Sequence, residues 1–573
     1  MRAKNQSGAH GLGVHAVAGG HVVVLCFTLP ESATAGLRGF GVHRTDLTEV
    51  TAGWLEGMRC FRETDPQFAA PARYSTREHP IQDFFWSDYT AKPGHSYVYR
   101  IVALKGTPSD LLEFDAIEVR VQTESTSGAQ HSVNFNRGAA SSQEYTRRFG
   151  ASVPDPAGSP DDPKLRWLSR GAWEALAGFV NRAAGPTFAL RVAAYEFHYL
   201  PFLQELKSAL GRGVDVQVVY DAKDNGKPAT EYRKAENAFP RDVNRDAIAT
   251  VGLEAVCTPR TYDASYISHN KFIVLLADGL PVAVLTGSTN FSAGGLFGQA
   301  NVVHIVDDPA VAKSYLGYWK ELEKDPRHST LQNVLADPLP DSTAALGTVF
   351  SPRKDTDALA LYGALASGAK GALFMTFAFG MDRVFQDAYR SGTAPLRYAL
   401  LEKLLGPGVK SADAPAATAA MVTLRKDVAN LFAVGATLPL NALDNWVAEK
   451  LTGLNSHVRF IHTKLMIVDP LGDHPIVVTG SANFSKASSN ENDENMLIIR
   501  DDTRVADLYL TEYMRLWEHY AFREYVESRS HHGPAPGHSS GPRPGELDAS
   551  DAWIARHFAD TADKRKREYF SSF

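Results

Sequence analysis

The chain has 573 residues, 44% hydrophobic and 22% charged, the make-up of an ordinary soluble globular protein with room for two to four domains. Its formal net charge of -6 argues against a protein that binds nucleic acid over its whole surface, although not against a local basic cleft. The three cysteines, Cys26, Cys60 and Cys257, are far apart and odd in number, so they supply neither a disulfide framework nor a thiolate metal site.

In chain order, the first readable element is the apolar run His21–Phe27. It is far shorter than the ~20 residues needed to span a bilayer, and it reads as a buried strand rather than a signal-peptide core. A cytoplasmic location is therefore expected, with no transmembrane segment. Further on, Tyr97, Tyr99, Ile101 and Ala103 alternate with Val98, Arg100, Val102 and Leu104 behind a Lys92-Pro93-Gly94 turn, and a second strand runs from Ala116 to Thr123. The stretch from Asp88 to Gly106 resembles the end of a fibronectin type III domain, so residues 1–125 are expected to form a β-sandwich accessory domain.

Residues 150–163, rich in proline, glycine and aspartate, read as a loop. Beyond it helix and strand alternate. Leu168, Ala172, Leu176, Phe179 and Val180 fall on one helical face, and a strand is expected at Phe188–Tyr195. A helix with Leu203, Leu206 and Leu210 inward ends at Gly213, and another strand covers Val214–Tyr220. This alternation implies an α/β architecture. The stretch Ser528–Gly545 is low-complexity. After it, a short docking helix is expected within Ala549–Phe573, its Lys564-Arg565-Lys566-Arg567 run forming a solvated face.

One internal repeat dominates the chain. His269-Asn270-Lys271 precedes Gly287-Ser288-Thr289-Asn290-Phe291-Ser292 by the same distance as His462-Thr463-Lys464 precedes Gly480-Ser481-Ala482-Asn483-Phe484-Ser485. Downstream, Asn301-Val302-Val303 answers Asn495-Met496-Leu497, and DDPAVAKSYL from Asp307 answers DDTRVADLYL from Asp501 with one residue of loop difference. Two α/β halves around a pseudo-twofold axis follow, at residues 135–345 and 346–527, with a tail at 528–573.

On a strand, residues i and i+2 share a face, so each half is expected to present His with Lys, and Ser with Asn, to one place. The doubled set (His269, Lys271, Ser288, Asn290 with His462, Lys464, Ser481, Asn483) suits a phosphodiester. The lysines and asparagines would hold the non-bridging oxygens, one histidine would attack phosphorus, and the other would protonate the leaving oxygen. No metal and no cofactor are called for.

These residues carry a resemblance to the phospholipase D superfamily, of the bacterial type. His462–Asp469 (HTKLMIVD) is similar to its HxKxxxxD motif and the GSxNFS strings to its companion motif, over roughly residues 135–525. The resemblance implies a duplicated phospholipase D-like fold, two α/β/α halves preceded by an all-β sandwich-like domain, and a phosphohistidine intermediate. By the habit of the family, His269 is the nucleophile, His462 the acid and Asp469 structural. Leu276 stands where the first copy would carry that aspartate, with Asp278 two residues late. The family also places an acid after the GSxN strand to hold a catalytic histidine. Glu494 fits in the second half, and Gln299 occupies the comparable loop of the first.

The expected substrate is a phosphodiester: narrowly, a phospholipid head group cleaved to phosphatidate with peripheral membrane contact, and alternatively a nucleic acid. A non-catalytic phosphate binder is the third reading. One chain suffices for a complete site, and oligomeric state is open.

Overall fold

The computed structural model describes residues 1–65, 73–138, 143–150, 152–223, 240–261, 266–406, 409–435, 458, 460–532 and 545–573. The early apolar alternation builds two four-stranded antiparallel sheets. One takes Arg2–Asn5, Gly13–Ala18, Val23–Thr28 and Phe85–Asp88 in that order; the other takes Asp110–Gln122, Ser96–Thr107, Leu37–Asp46 and Thr51–Trp54. Val14, Leu25, Phe27, Phe40, Tyr99, Ile101 and Val119 fill the core they share. The Tyr97 hydroxyl accepts from the Lys92 main-chain N–H at 2.9 Å, which ties the turn to the strand it precedes.

The rest of the chain is α/β and duplicated. A first seven-stranded sheet is ordered His131–Phe135, Val302–Val306, Leu280–Gly287, Lys271–Ala277, Phe188–Ala194, Asp215–Asp221, Cys257–Arg260. The second is ordered Leu346–Ser351, Glu494–Arg500, Ile476–Gly480, Leu465–Val468, Ala372–Phe377, Leu396–Leu401, Asn430–Val434. Strand for strand the connectivity is the same.

Each sheet buries one face under its own helices. Leu176, Leu203, Leu206 and Ile248 cover the first; Leu359, Tyr362, Phe385 and Leu424 cover the second. The opposite faces meet in one shared core, where Phe272 and Val274 lie on one side and Phe374 and Ile467 on the other. Helices Pro309–Glu323 and Thr503–His532 supply Tyr315, Trp319, Tyr509 and Tyr513 between them. A core continuous across both sheets fixes the halves relative to each other and so fixes any site at their junction. No helix among the described residues is long and apolar enough to cross a membrane.

Two local expectations need correction. The single helical face from Leu168 to Val180 is split into helices Pro163–Ser169 and Ala172–Asn181, because Arg170 and Gly171 both take positive φ, 48° and 93°. Arg170 turns inward there and pairs with Glu512 at 2.6 Å, which holds an otherwise unfavourable conformation.

The tail also differs. The long helix runs to His532, and residues 533–544 of the low-complexity stretch lie outside the described residues. The chain then returns as helix Ala562–Phe570, with Phe570 against Phe85. Its basic run is no solvated face: Lys566 is buried and reaches Asp83 at 3.3 Å, and Arg567 lies over the Phe558 ring. The ammonium and guanidinium stems cover apolar surface while their heads find partners.

Candidate active site

The two motif regions meet where the sheets adjoin. The strands start at Lys271 and Leu465, so His269 and His462 stand just ahead of them rather than on them. Each is held instead by main chain of the opposite half. His269 N–H donates to Asp493 O at 2.9 Å, and His462 N–H to Ala300 O at 3.2 Å. The expected neighbourhood of His and Lys is kept by a different contact, since Lys271 Nζ donates to His269 O at 2.5 Å and Lys464 Nζ to His462 O at 2.6 Å. The two imidazole centroids are 6.3 Å apart, nearly perpendicular at 78°.

The GSxN segments likewise begin where their strands end, at Gly287 and Gly480. A Cβ on either glycine would lie 2.3 Å from Val302 O or 2.2 Å from Asn495 O, so only glycine lets the chain pass. Ser288 and Ser481 then brace the neighbouring strand, their hydroxyls accepting from Val302 N–H at 3.1 Å and Asn495 N–H at 3.0 Å. Asn290 and Asn483 differ: their Oδ1 atoms are buried without a hydrogen-bond partner. Leaving such an atom unpaired costs about 1–3 kcal/mol, which a purely structural amide would not be expected to carry.

Behind the histidines the halves exchange partners. His269 Nδ1 lies 2.9 Å from Glu494 of the second half, and His462 Nδ1 lies 2.9 Å from Asn301 Oδ1 of the first. The sheet register makes these equivalent, because Gly287 pairs with Val303 and Gly480 with Met496. Asn301 therefore matches Glu494, not Asn495, and the extra residue falls at the end of the last strand. Gln299, expected as the first-half partner, instead donates to Val458 O at 2.8 Å.

The site is crowded with buried charge. Burial holds both imidazoles well below their usual range, and the ammonium groups of Lys271 and Lys464 push the same way. Burial lowers Lys271 to about 8, with Glu494, Glu196 and Asp221 acting against it, and takes Lys464 well down. Burial pushes Glu494 up to about 7, against the pull of Lys271. An anion placed between the two lysines would relieve this strain by favouring their charged forms.

Sequence reasoning also passed over the rim. The Tyr195 ring meets His269 edge-on at 4.9 Å and lies 5.2 Å from Lys271 Nζ, and Glu196 accepts from the Ser292 hydroxyl at 2.5 Å. By strand pairing (Val192 with Ile273, Met375 with Met466), the second half has Ala378 and Phe379 in their place. Asp469 lies away from the histidines, accepting from Gly371 N–H at 2.7 Å and Ala372 N–H at 2.9 Å. Among the described residues, no group of three or more His, Cys, Asp or Glu side chains is placed to hold a metal ion.

A family model described as cardiolipin synthase, PLD-like domain, matches residues 182–322 and 438–517. No curated protein matches the sequence. Among solved structures, the chain is similar to phosphatidylserine synthase from Haemophilus influenzae at 13% identity and a TM-score of 0.40, over 61% of this chain and 84% of that one. It is similar to Nuc, a phospholipase D family member from Salmonella typhimurium, at 18% identity and a TM-score of 0.21, over 30% of this chain and 95% of that one. Yeast tyrosyl-DNA phosphodiesterase matches at 11% identity and a TM-score of 0.30, over 57% of this chain and 87% of that one.

Proposed function

We propose that this chain, which belongs to the phospholipase D superfamily, is a phosphodiesterase that cleaves phospholipid head groups through a phosphohistidine. The observation that carries the reading is the pair of facing imidazoles, each with Nδ1 held by a side chain of the opposite half. Lys271, Lys464, Asn290 and Asn483 supply the donors for the non-bridging oxygens, whose charge grows in the transition state.

The unequal partners support one assignment of the roles. When His269 Nε2 donates its lone pair to phosphorus, an N–P bond forms, the P–O bond to the leaving alcohol breaks, and the ring becomes cationic. The Glu494 carboxylate stabilises that charge. His462 gives its Nε2 proton to the departing oxygen; with only the neutral Asn301 behind it, it surrenders that proton readily once the bound anion has allowed it to charge. In the second step His462 takes a proton from water, the hydroxide attacks phosphorus, and the N–P electron pair returns to His269.

The preference for lipid over nucleic acid is supported by the rim. Phe379 is 40% exposed on one side, and the Glu196 carboxylate stands on the other, unfavourable to a polyanion. The test is turnover in EDTA on phosphatidylcholine/phosphatidylglycerol vesicles beside single- and double-stranded DNA, with His269→Ala as control. Phosphatidate from wild type alone is expected; DNA cleavage with untouched lipid would overturn the substrate.

A further inference from the structure

Each half also contains a second buried acid, at the end of a sheet strand. Asp221 ends the strand Asp215–Asp221, and Glu402 directly follows Leu396–Leu401. They occupy the same place in the two sheets, since Val192 pairs with Val218 and Met375 with Ala399, three residues before each acid. Asp221 is 0% exposed and Glu402 3%.

Both acids turn to the same main-chain target. Asp221 Oδ2 accepts from Ser268 N–H at 2.8 Å, and its Oδ1 from Lys223 N–H at 3.3 Å. Glu402 Oε2 accepts from Ile461 N–H at 2.9 Å and from Phe460 N–H at 3.1 Å. Ser268 and Ile461 immediately precede His269 and His462. The opposite half grips the same segments, through Asp493 N–H to Ile267 O at 3.0 Å and Ala300 N–H to Phe460 O at 2.8 Å. Each histidine thus hangs on a short segment fixed by a carboxylate of its own half and main chain of the other.

Strand-end acids usually serve a turn, but here an aspartate and a longer glutamate reach equivalent N–H groups from equivalent positions. Burial pushes Asp221 up to about 7, while its bonds from the Ser268 and Lys223 N–H groups act against that; in its ionised form such bonds are charge-assisted and the stronger kind. Asp221 also acts on Lys271, favouring its charged form. We infer that Asp221 and Glu402 are positioning residues, Asp221 aiming His269 at phosphorus and Glu402 aiming His462 at the leaving oxygen. The inference rests on the histidine roles proposed above.

The test uses two short-chain substrates. Phosphatidylcholine has a leaving alcohol that needs a proton; phosphatidyl p-nitrophenol does not. Asp221→Ala should lower kcat by about 10²-fold on both, with KM little changed, because the attacking nitrogen is misplaced. Glu402→Ala should slow the first turnover comparably on phosphatidylcholine and hardly at all on the p-nitrophenyl ester, whose p-nitrophenol burst needs no proton from His462.

If the alanine variants fail to fold, isosteric ones decide. Glu402→Gln keeps one oxygen for both N–H groups, and any defect it shows should fall on the first turnover of phosphatidylcholine and spare that of the p-nitrophenyl ester. Asp221→Asn has one acceptor where two separate oxygens are used, and it should be impaired on both esters. Wild-type kcat in folded Asp221→Ala or Asp221→Asn, or an equal first-turnover defect of Glu402→Ala on both esters, would overturn the inference. His462→Ala is the control: if it shows no first-turnover burst of p-nitrophenol, the histidine roles fail instead.

Discussion

In the first half the strand after the histidine runs for 7 residues, Lys271–Ala277, and turns through Asp278-Gly279, both at positive φ. In the second half the same strand has 4 residues, Leu465–Val468, and a longer loop in which Asp469 anchors three main-chain N–H groups. Yet the distance from histidine to glycine is the same in both. Away from the junction the halves solve one hairpin in two ways, a tight two-residue turn or an aspartate-pinned loop. At the junction they share His, Lys, Ser and Asn but differ behind the imidazole, Glu494 for His269 and Asn301 for His462, and at the rim, Tyr195 and Glu196 against Ala378 and Phe379. On the roles proposed above, charge behind the imidazole is what separates attacker from acid.

That contrast can be broken hardest at the histidines. His269→Ala should abolish turnover of any ester. His462→Ala should lose about 10²–10⁴-fold on phosphatidylcholine but release the first equivalent of p-nitrophenol at near the wild-type rate, read as a burst before a steady state that waits on water activation. Equal loss on both esters in the two variants would erase the proposed asymmetry.

Next in size are the charged neighbours. Lys271→Ala and Lys464→Ala should each cost about 10²–10³-fold in kcat, since their donors act on the transition state. A change confined to KM would contradict that role. Glu494→Gln makes the halves alike and should slow the covalent step, seen as a smaller burst of p-nitrophenol.

The pH profile sharpens the same point more gently. Glu494 must be ionised to stabilise the cationic ring, so kcat/KM should rise with pH through about 7. Lys271 must be protonated, so it should fall again as pH passes about 8. Lys271→Arg should move the upper limb to higher pH; an unmoved limb would detach it from Lys271.

Asp469→Ala should leave kcat near wild type while costing about 1–3 kcal/mol of stability by urea denaturation, because only the second-half hairpin depends on it. EDTA should change nothing, and strong inhibition would contradict a reaction carried by these side chains alone.

The repeat was legible because its chemistry-bearing residues cluster in two short strings whose spacing needs no gap. The details that escaped share a cause. Asn301 and Asn495 are the same residue type one position apart, so the letters align them while the sheet pairing aligns Asn301 with Glu494. Asp221 and Glu402 look like turn residues in a linear reading, and only parallel pairing places both beside a histidine. The rule that sites form at the carboxyl ends of sheet strands was the one available signal for them. Arg170 in a left-handed conformation, and Lys566 buried against Asp83, depend on partners hundreds of residues away in the chain.

The most direct test is to find which histidine is phosphorylated. Wild type and His462→Ala, mixed rapidly with short-chain phosphatidyl p-nitrophenol and quenched in base, would be digested and read by mass spectrometry for a phosphatidyl adduct. The account predicts an adduct on the peptide carrying His269 in both proteins, accumulating more in the variant that cannot activate water. An adduct on His462, or release of p-nitrophenol with no adduct at any time, would contradict it.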